Sequence, residues 1–132
     1  MARESLGQGG RLTFDFLTLL AAQRYAEANE YLAPGCRMLF PGGVVLTDCL
    51  QLPQRSATLY RRVEKVFERI DEFVASDGVV VYNYGTLRGE WLDGRTFEGI
   101  RYIDRFLIRD GRIADQKVWN DLFVAASARI NR

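Results

Sequence analysis

The stretch Thr96–Leu122, TFEGIRYIDRFLIRDGRIADQKVWNDL, decides the fold. Over its first half the residues alternate. The even positions from 100 are Ile100, Tyr102, Asp104, Phe106 and Ile108, and the odd ones are Arg101, Ile103, Arg105, Leu107 and Arg109. A period of two marks a strand with one face buried. Three arginines turn the odd face toward solvent or a partner subunit and the even face toward a core. Asp104 is therefore a carboxyl set in the middle of an apolar row.

The neighbouring segments extend the same pattern. Glu72–Ala75, Val79–Leu92, Thr96–Arg109 and Ile113–Leu122 read as strands, and Ser76-Asp77-Gly78, Asp93-Gly94 and Asp110-Gly111 read as the hairpin turns between them. A two-residue loop at Asp93-Gly94 places Asn83 opposite Asp104, Gly85 opposite Tyr102 and Val81 opposite Phe106. The turn Arg109-Asp110-Gly111 leaves two registers open. A two-residue loop puts Lys117 opposite Asp104 and aims Trp119 inward, whereas a three-residue loop aims Gln116, Val118 and Asn120 inward.

The first half of the chain has helical spacing. Leu12–Ala22 reads as a buried amphipathic helix with Thr13 near its start, and Arg24–Leu32 as a second helix stopped by Pro34-Gly35. Cys36–Phe40 is a short apolar strand running into Pro41-Gly42-Gly43, which reads as a lid or as a rigid loop. Val44–Pro53 is an irregular connection. Ser56 can cap a third helix to about Ile70, with Leu59, Val63, Val66, Phe67 and Ile70 on one face and Arg61, Arg62, Lys65 and Arg69 in solvent. Helices followed by a meander make an α+β domain, three N-terminal helices packed on a curved antiparallel sheet.

Composition bounds the function. The 132 residues are 48% hydrophobic, which suits one domain spanning 1–132. Eighteen Lys and Arg against 17 Asp and Glu give a net charge of +1, with no basic excess for nucleic acid or anionic lipid. There is no histidine, so Ser-His-Asp and Cys-His nucleophiles and His-ligated metals are excluded. Cys36 and Cys49 are too few for a disulfide framework and read as buried thiols in a reducing compartment. The apolar run near the N-terminus holds Asp15 and is too short to span a bilayer. The expectation is a cytoplasmic protein with no metal, no cofactor, and no nucleic-acid or membrane partner.

Asp104, Phe106, the turn Asp110-Gly111-Arg112-Ile113, the closing Trp119-Asn120-Asp121-Leu122 and Tyr31-Leu32-Ala33 resemble the NTF2-like superfamily, and within it the SnoaL-like group. The resemblance implies a cone-shaped fold over nearly the whole chain, dimers formed through the outer sheet face, and activities such as ketosteroid isomerisation, polyketide cyclisation, dehydration or epoxide hydrolysis. Ile103-Asp104-Arg105-Phe106 is similar to the isomerase segment whose protonated aspartic acid donates to a developing oxyanion. The isomerase's general base, however, falls on Phe40, and its oxyanion tyrosine near Phe16. The epoxide hydrolase positions fall on Met38, Phe40 and Val118, and its Arg-x-Asp pair near Gly85–Leu87. The dehydratases and cyclases use histidine.

Two readings of Asp104 stand side by side. In one it is the catalytic acid or base of an apolar pocket lined by Asn83, Tyr102, Met38, Phe40, Phe106, Gln116, Val118 and Asn120, which takes a small hydrophobic, oxygen-bearing metabolite. In the other it ties strands together, and the domain is a non-catalytic binding or interaction module. Tyr82, Tyr84, Ile103, Leu107 and Trp119 form an outer patch suited to a homodimer. A new catalytic set of Tyr102, Asp104, Asn83 and Lys117 requires the register that turns Lys117 inward.

Overall fold

The computed structural model describes residues 2–130. Its elements run α1 (Gln8–Ala21), α2 (Tyr25–Asn29), β1 (Leu32–Phe40), β2 (Val44–Leu46), α3 (Leu52–Ser56), β3 (Tyr60–Ala75), β4 (Gly78–Trp91), β5 (Thr96–Arg109), β6 (Arg112–Asn120) and α4 (Leu122–Ile130). The strands form one sheet in the order β2-β1-β6-β5-β4-β3. Every neighbouring pair is antiparallel except β1 and β6, which run parallel, so the sheet is mixed where full antiparallel pairing was expected.

Position Asp104 lies where the alternation placed it. Asn83 pairs with Asp104, Gly85 with Tyr102 and Val81 with Phe106. The loop itself is Leu92-Asp93-Gly94, one residue longer than assumed, closed by Trp91 N–H donating to the Arg95 carbonyl at 2.8 Å. A bulge between Leu87 and Gly89 restores the register. The second hairpin also combines two devices. Asp110 and Gly111 both have positive φ, 53° and 72°, which makes a tight two-residue turn. A bulge at Ala114 then brings Phe106 opposite Gln116, Asp104 opposite Val118 and Tyr102 opposite Asn120. Gln116 and Val118 are therefore buried on the inner side, while Lys117 and Trp119 are exposed.

The expected third helix, Ser56 to Ile70, is a strand. Ser56 ends the one-turn α3, and residues 60–75 form β3, paired along β4. The helical spacing arises from a bulge between Phe67 and Arg69. Before it, Val63, Lys65 and Phe67 sit opposite the inward residues Gly89, Leu87 and Gly85; after it, Ile70 and Glu72 sit opposite Asn83 and Val81. A strand that skips one residue places Val63, Phe67 and Ile70 at intervals of four and three, as a helix does. Pairing with β4 overrides any local helix preference.

Smaller differences follow the same logic. Helix α1 begins at Gln8, ahead of Thr13, whose hydroxyl donates to the Gly10 carbonyl at 3.0 Å. Its start is instead capped from β3, with Gly10 N–H donating to Glu72 Oε1 at 3.1 Å, and a Cβ at Gly7 would collide with that carboxylate. Helix α2 ends at Asn29, and Pro34-Gly35 lies inside β1, where the β1–β6 register shifts. Pro41-Gly42-Gly43 turns a hairpin, since Val44–Leu46 pairs back on β1. Leu107 is buried, in contrast to its expected place in an open patch.

Two apolar clusters occupy the inner side. The larger joins Phe16 and Leu17 of α1 to Met38, Val81, Phe106, Ile108 and Ile113, with Phe16 meeting Phe106 edge-on at 6.1 Å. Cys36 and Cys49 are free and buried in it, and burial pushes the Cys36 thiol up to about 11. The smaller holds Leu87, Trp91, Ile100, Tyr102 and Leu122. No helix among the described residues is long and apolar enough to cross a membrane.

Candidate functional site

Between the two clusters the sheet is not fully covered. A cavity of about 430 Å³ opens there. Its walls come from the end of α1 and the turn after it (Leu17, Leu20, Gln23), from α3 (Leu52, Arg55), from the first half of β3 and from the inner residues of β6. The segment before α3 is pinned to α2. Asn29 Nδ2 donates to Asp48 Oδ1 at 2.7 Å, Cys49 N–H donates to Asn29 Oδ1 at 2.8 Å, and Asp48 with Gln51 closes a capping box. The Asn29 hydrogen bond, with the Leu50 amide, holds the Asp48 carboxyl below its ordinary range. This anchoring fixes where Arg55 enters the cavity.

The deep wall is polar. Asp104 is 0% exposed, and the Lys65 ammonium lies 3.6 Å from its Oδ2 with its side chain 27% exposed. At 3.6 Å the contact is an ion pair, longer than a hydrogen bond. Lys65 Nζ also stands 4.9 Å above the Tyr102 ring centroid. Tyr102 donates its hydroxyl to Asn83 Oδ1 at 2.6 Å. Lys65 reaches this group because β3 closes tightly over β4, where a Cβ on Gly85 would collide with the Val66 carbonyl.

Charge in this layer is poorly compensated. Neither oxygen of Asp104 has a hydrogen-bond partner, nor do Asn83 Nδ2 and Gln116 Oε1, all of them buried. Burial raises the Asp104 carboxyl above its ordinary range, and Lys65 opposes the shift only in part. Burial first, then Asp104, raises the Tyr102 phenol, which stays protonated as a donor. Lys65 thus presents a cation at the cavity wall, with the Asp104 carboxyl behind it.

The expected site residues divide cleanly. Phe40, Gln116, Val118 and Asn120 line the cavity. Asn83, Tyr102 and Asp104 form the layer behind it, and Met38 and Phe106 belong to the packed core, outside the cavity lining. Asp104 does not itself line the cavity; Lys65 stands at that wall beside it. Lys117 points away, so the catalytic set that needed it inward is not formed. Lys65 is the lysine beside Asp104 instead, and it escaped sequence reasoning because a helix over 56–70 put it in solvent. The alternation Val63, Lys65, Phe67 was the available signal.

No family model matches the sequence, and no curated protein matches it. Solved structures do. An NTF2-like protein of unknown function from Burkholderia pseudomallei superposes with a TM-score of 0.76 at 11% identity, over 92% of this chain and 97% of that one. The fold is NTF2-like. TerC, co-crystallised with polyporic acid, superposes at 0.73 with 15% identity over 96% of this chain and 100% of its own. A putative SnoaL-like polyketide cyclase from a Jannaschia species gives 0.60 at 21% identity, over 89% and 90%. The NTF2-like cone thus carries a cavity with Lys65 at its wall and with apolar Phe40 and Val118 at the positions where the resemblance had placed other members' catalytic groups.

Proposed function

We propose that the chain is a SnoaL-like small-molecule protein whose cavity takes an apolar, oxygen-bearing metabolite and polarises one of its oxygens through Lys65. The observation that carries this is the Lys65–Asp104 pair at the wall of a cavity otherwise rich in apolar side chains. A carbonyl received by the Lys65 ammonium gains a charge-assisted hydrogen bond that strengthens as negative charge builds on oxygen. Isomerisation, cyclisation and dehydration all draw on such a donor. Asp104 keeps Lys65 oriented, and the Gln116 side chain lines the same cavity. TerC's co-crystallisation with polyporic acid supports the cavity as the ligand site.

A second reading, a binding module without catalysis, is favoured by one observation. Phe40 and Val118 occupy the positions where relatives in this fold carry bases, and both line the cavity. The chain is further proposed to work as a cytoplasmic homodimer. On the outer sheet face Phe73 is 52% and Trp119 50% exposed, and Phe73 stacks on Tyr82. A dimer mass in light scattering that becomes monomeric in Trp119→Glu is the expected result.

Amide NMR with 2-acetonaphthone, a neutral aromatic ketone, tests the cavity. Shifts should concentrate at Lys65, Gln116, Val118 and Asn120 and vanish in Val118→Trp. Shifts absent there, or confined to the outer face, overturn the reading. Among turnover assays, activity that persists in Lys65→Met removes the role of its ammonium.

A further inference from the structure

The charges around the cavity do not balance, and one cation is left over. Arg55, Arg61, Arg62 and Lys65 line it, against the single carboxylate Glu64. Glu64 is engaged by Arg88 at 2.6 Å, Arg61 and Arg62 share Glu90 at 3.1 and 3.6 Å, and Lys65 faces Asp104. Among the described residues no carboxylate pairs with Arg55. Its guanidinium lies half-buried over the Phe40 ring, 4.9 Å from the centroid, and makes one long bond of 3.5 Å to the Pro41 carbonyl. A guanidinium has five N–H donors in a fixed fork that matches a carboxylate. Leaving it unpaired in a partly dry site is costly.

Position supports the same reading. Arg55 sits on α3, directly after the segment that the Asn29–Asp48–Gln51 bonds hold in place, so its backbone is anchored beside the cavity. The Phe40 ring lies beneath it, 4.9 Å from centroid to guanidinium carbon, and attracts the cation. Lys65 and the Gln116 side chain lie on other walls of the same cavity. A ligand with an apolar body, an anionic group for Arg55 and a neutral oxygen for Lys65 satisfies both cations.

We infer that the cavity selects organic acids: aromatic or alicyclic metabolites whose carboxylate, or an equally acidic enol, docks on Arg55. This deepens the cavity reading above and rests on it. Arg55 is a binding residue for the ligand's charged end and does not touch the reacting oxygen.

Dissociation constants for 2-naphthoate and for its near-isostere 2-acetonaphthone, measured by NMR titration at pH 7 on the full chain, test it. The carboxylate should bind about tenfold or more tighter, the worth of one hydrogen bond between charged groups. Arg55→Met should erase that preference while leaving 2-acetonaphthone binding within about twofold, and Arg55→Lys should restore part of it. Equal binding of the two probes to the wild type overturns the acid selectivity and leaves the cavity reading intact. A preference that survives Arg55→Met also overturns it. Failure of both probes to perturb the cavity residues overturns the cavity reading and this inference with it.

Discussion

The inner face of the sheet carries two adjacent rows with opposite characters. One runs Val81, Phe106, Gln116, Met38 and Leu46 across five strands, and α1 closes over its apolar members through Phe16 and Leu17. The next runs Ile70, Asn83, Asp104 and Val118, and there Asn83 Nδ2 and both oxygens of Asp104 lack hydrogen-bond partners, as does Gln116 Oε1 where the first row borders the cavity. The rows lie two residues apart on the same strands. The difference teaches that packing, and not strand geometry, decides where a cone becomes a core and where it becomes a site.

The sharpest way to break the comparison is to empty the packed row. Phe106→Ala should cost about 3–5 kcal/mol in urea unfolding, because the helix above cannot follow the lost ring. A cost under about 1 kcal/mol would mean that the packed row is as loose as the site row. Next in size is Gly85→Ala. Its new methyl meets the Val66 carbonyl, so a loss of about 1–3 kcal/mol is expected, together with displaced Lys65 resonances in NMR. Unchanged Lys65 resonances would show that the closure of β3 does not position the lysine.

Asp104→Asn has the smallest effect, and it depends on pH. The folded carboxyl titrates above its ordinary value of 3.8, so it contributes stability that is complete below pH 3.8 and is lost as pH rises through the folded value. The wild type should therefore lose stability relative to Asp104→Asn as pH climbs from 3.8 toward neutrality, in parallel thermal denaturation series. The opposite trend would mean that Lys65 outweighs burial.

Much of the packed row was legible in the sequence, because alternation through Ile100, Tyr102, Phe106 and Ile108 has one interpretation and the Asp-Gly turns set its neighbours. The pairing of Asn83 with Asp104 followed even though the loop is longer than assumed, since the bulge between Leu87 and Gly89 cancels the extra loop residue. The site row was half legible. Asp104 stood out as a polar residue in an apolar row, but its partner lay on a strand that imitates a helix. The bulge after Phe67 converts a period of two into intervals of four and three, and within residues 60–70 only the alternation Val63, Lys65, Phe67 tells that from an amphipathic helix. Arg55 was hidden for a different reason: its isolation is a property of the other charges, visible only once their partners are known. Helix α4 escaped notice because its apolar residues follow β6 almost without a break.

The account turns on the Lys65–Asp104 pair, and carbon-detected NMR titration of the Asp104 carboxyl reads it directly. In the wild type Asp104 should titrate above 3.8, and in Lys65→Met higher still, because the variant removes the cation that opposes burial. An Asp104 whose titration is indifferent to Lys65→Met would contradict the pair and the site built on it.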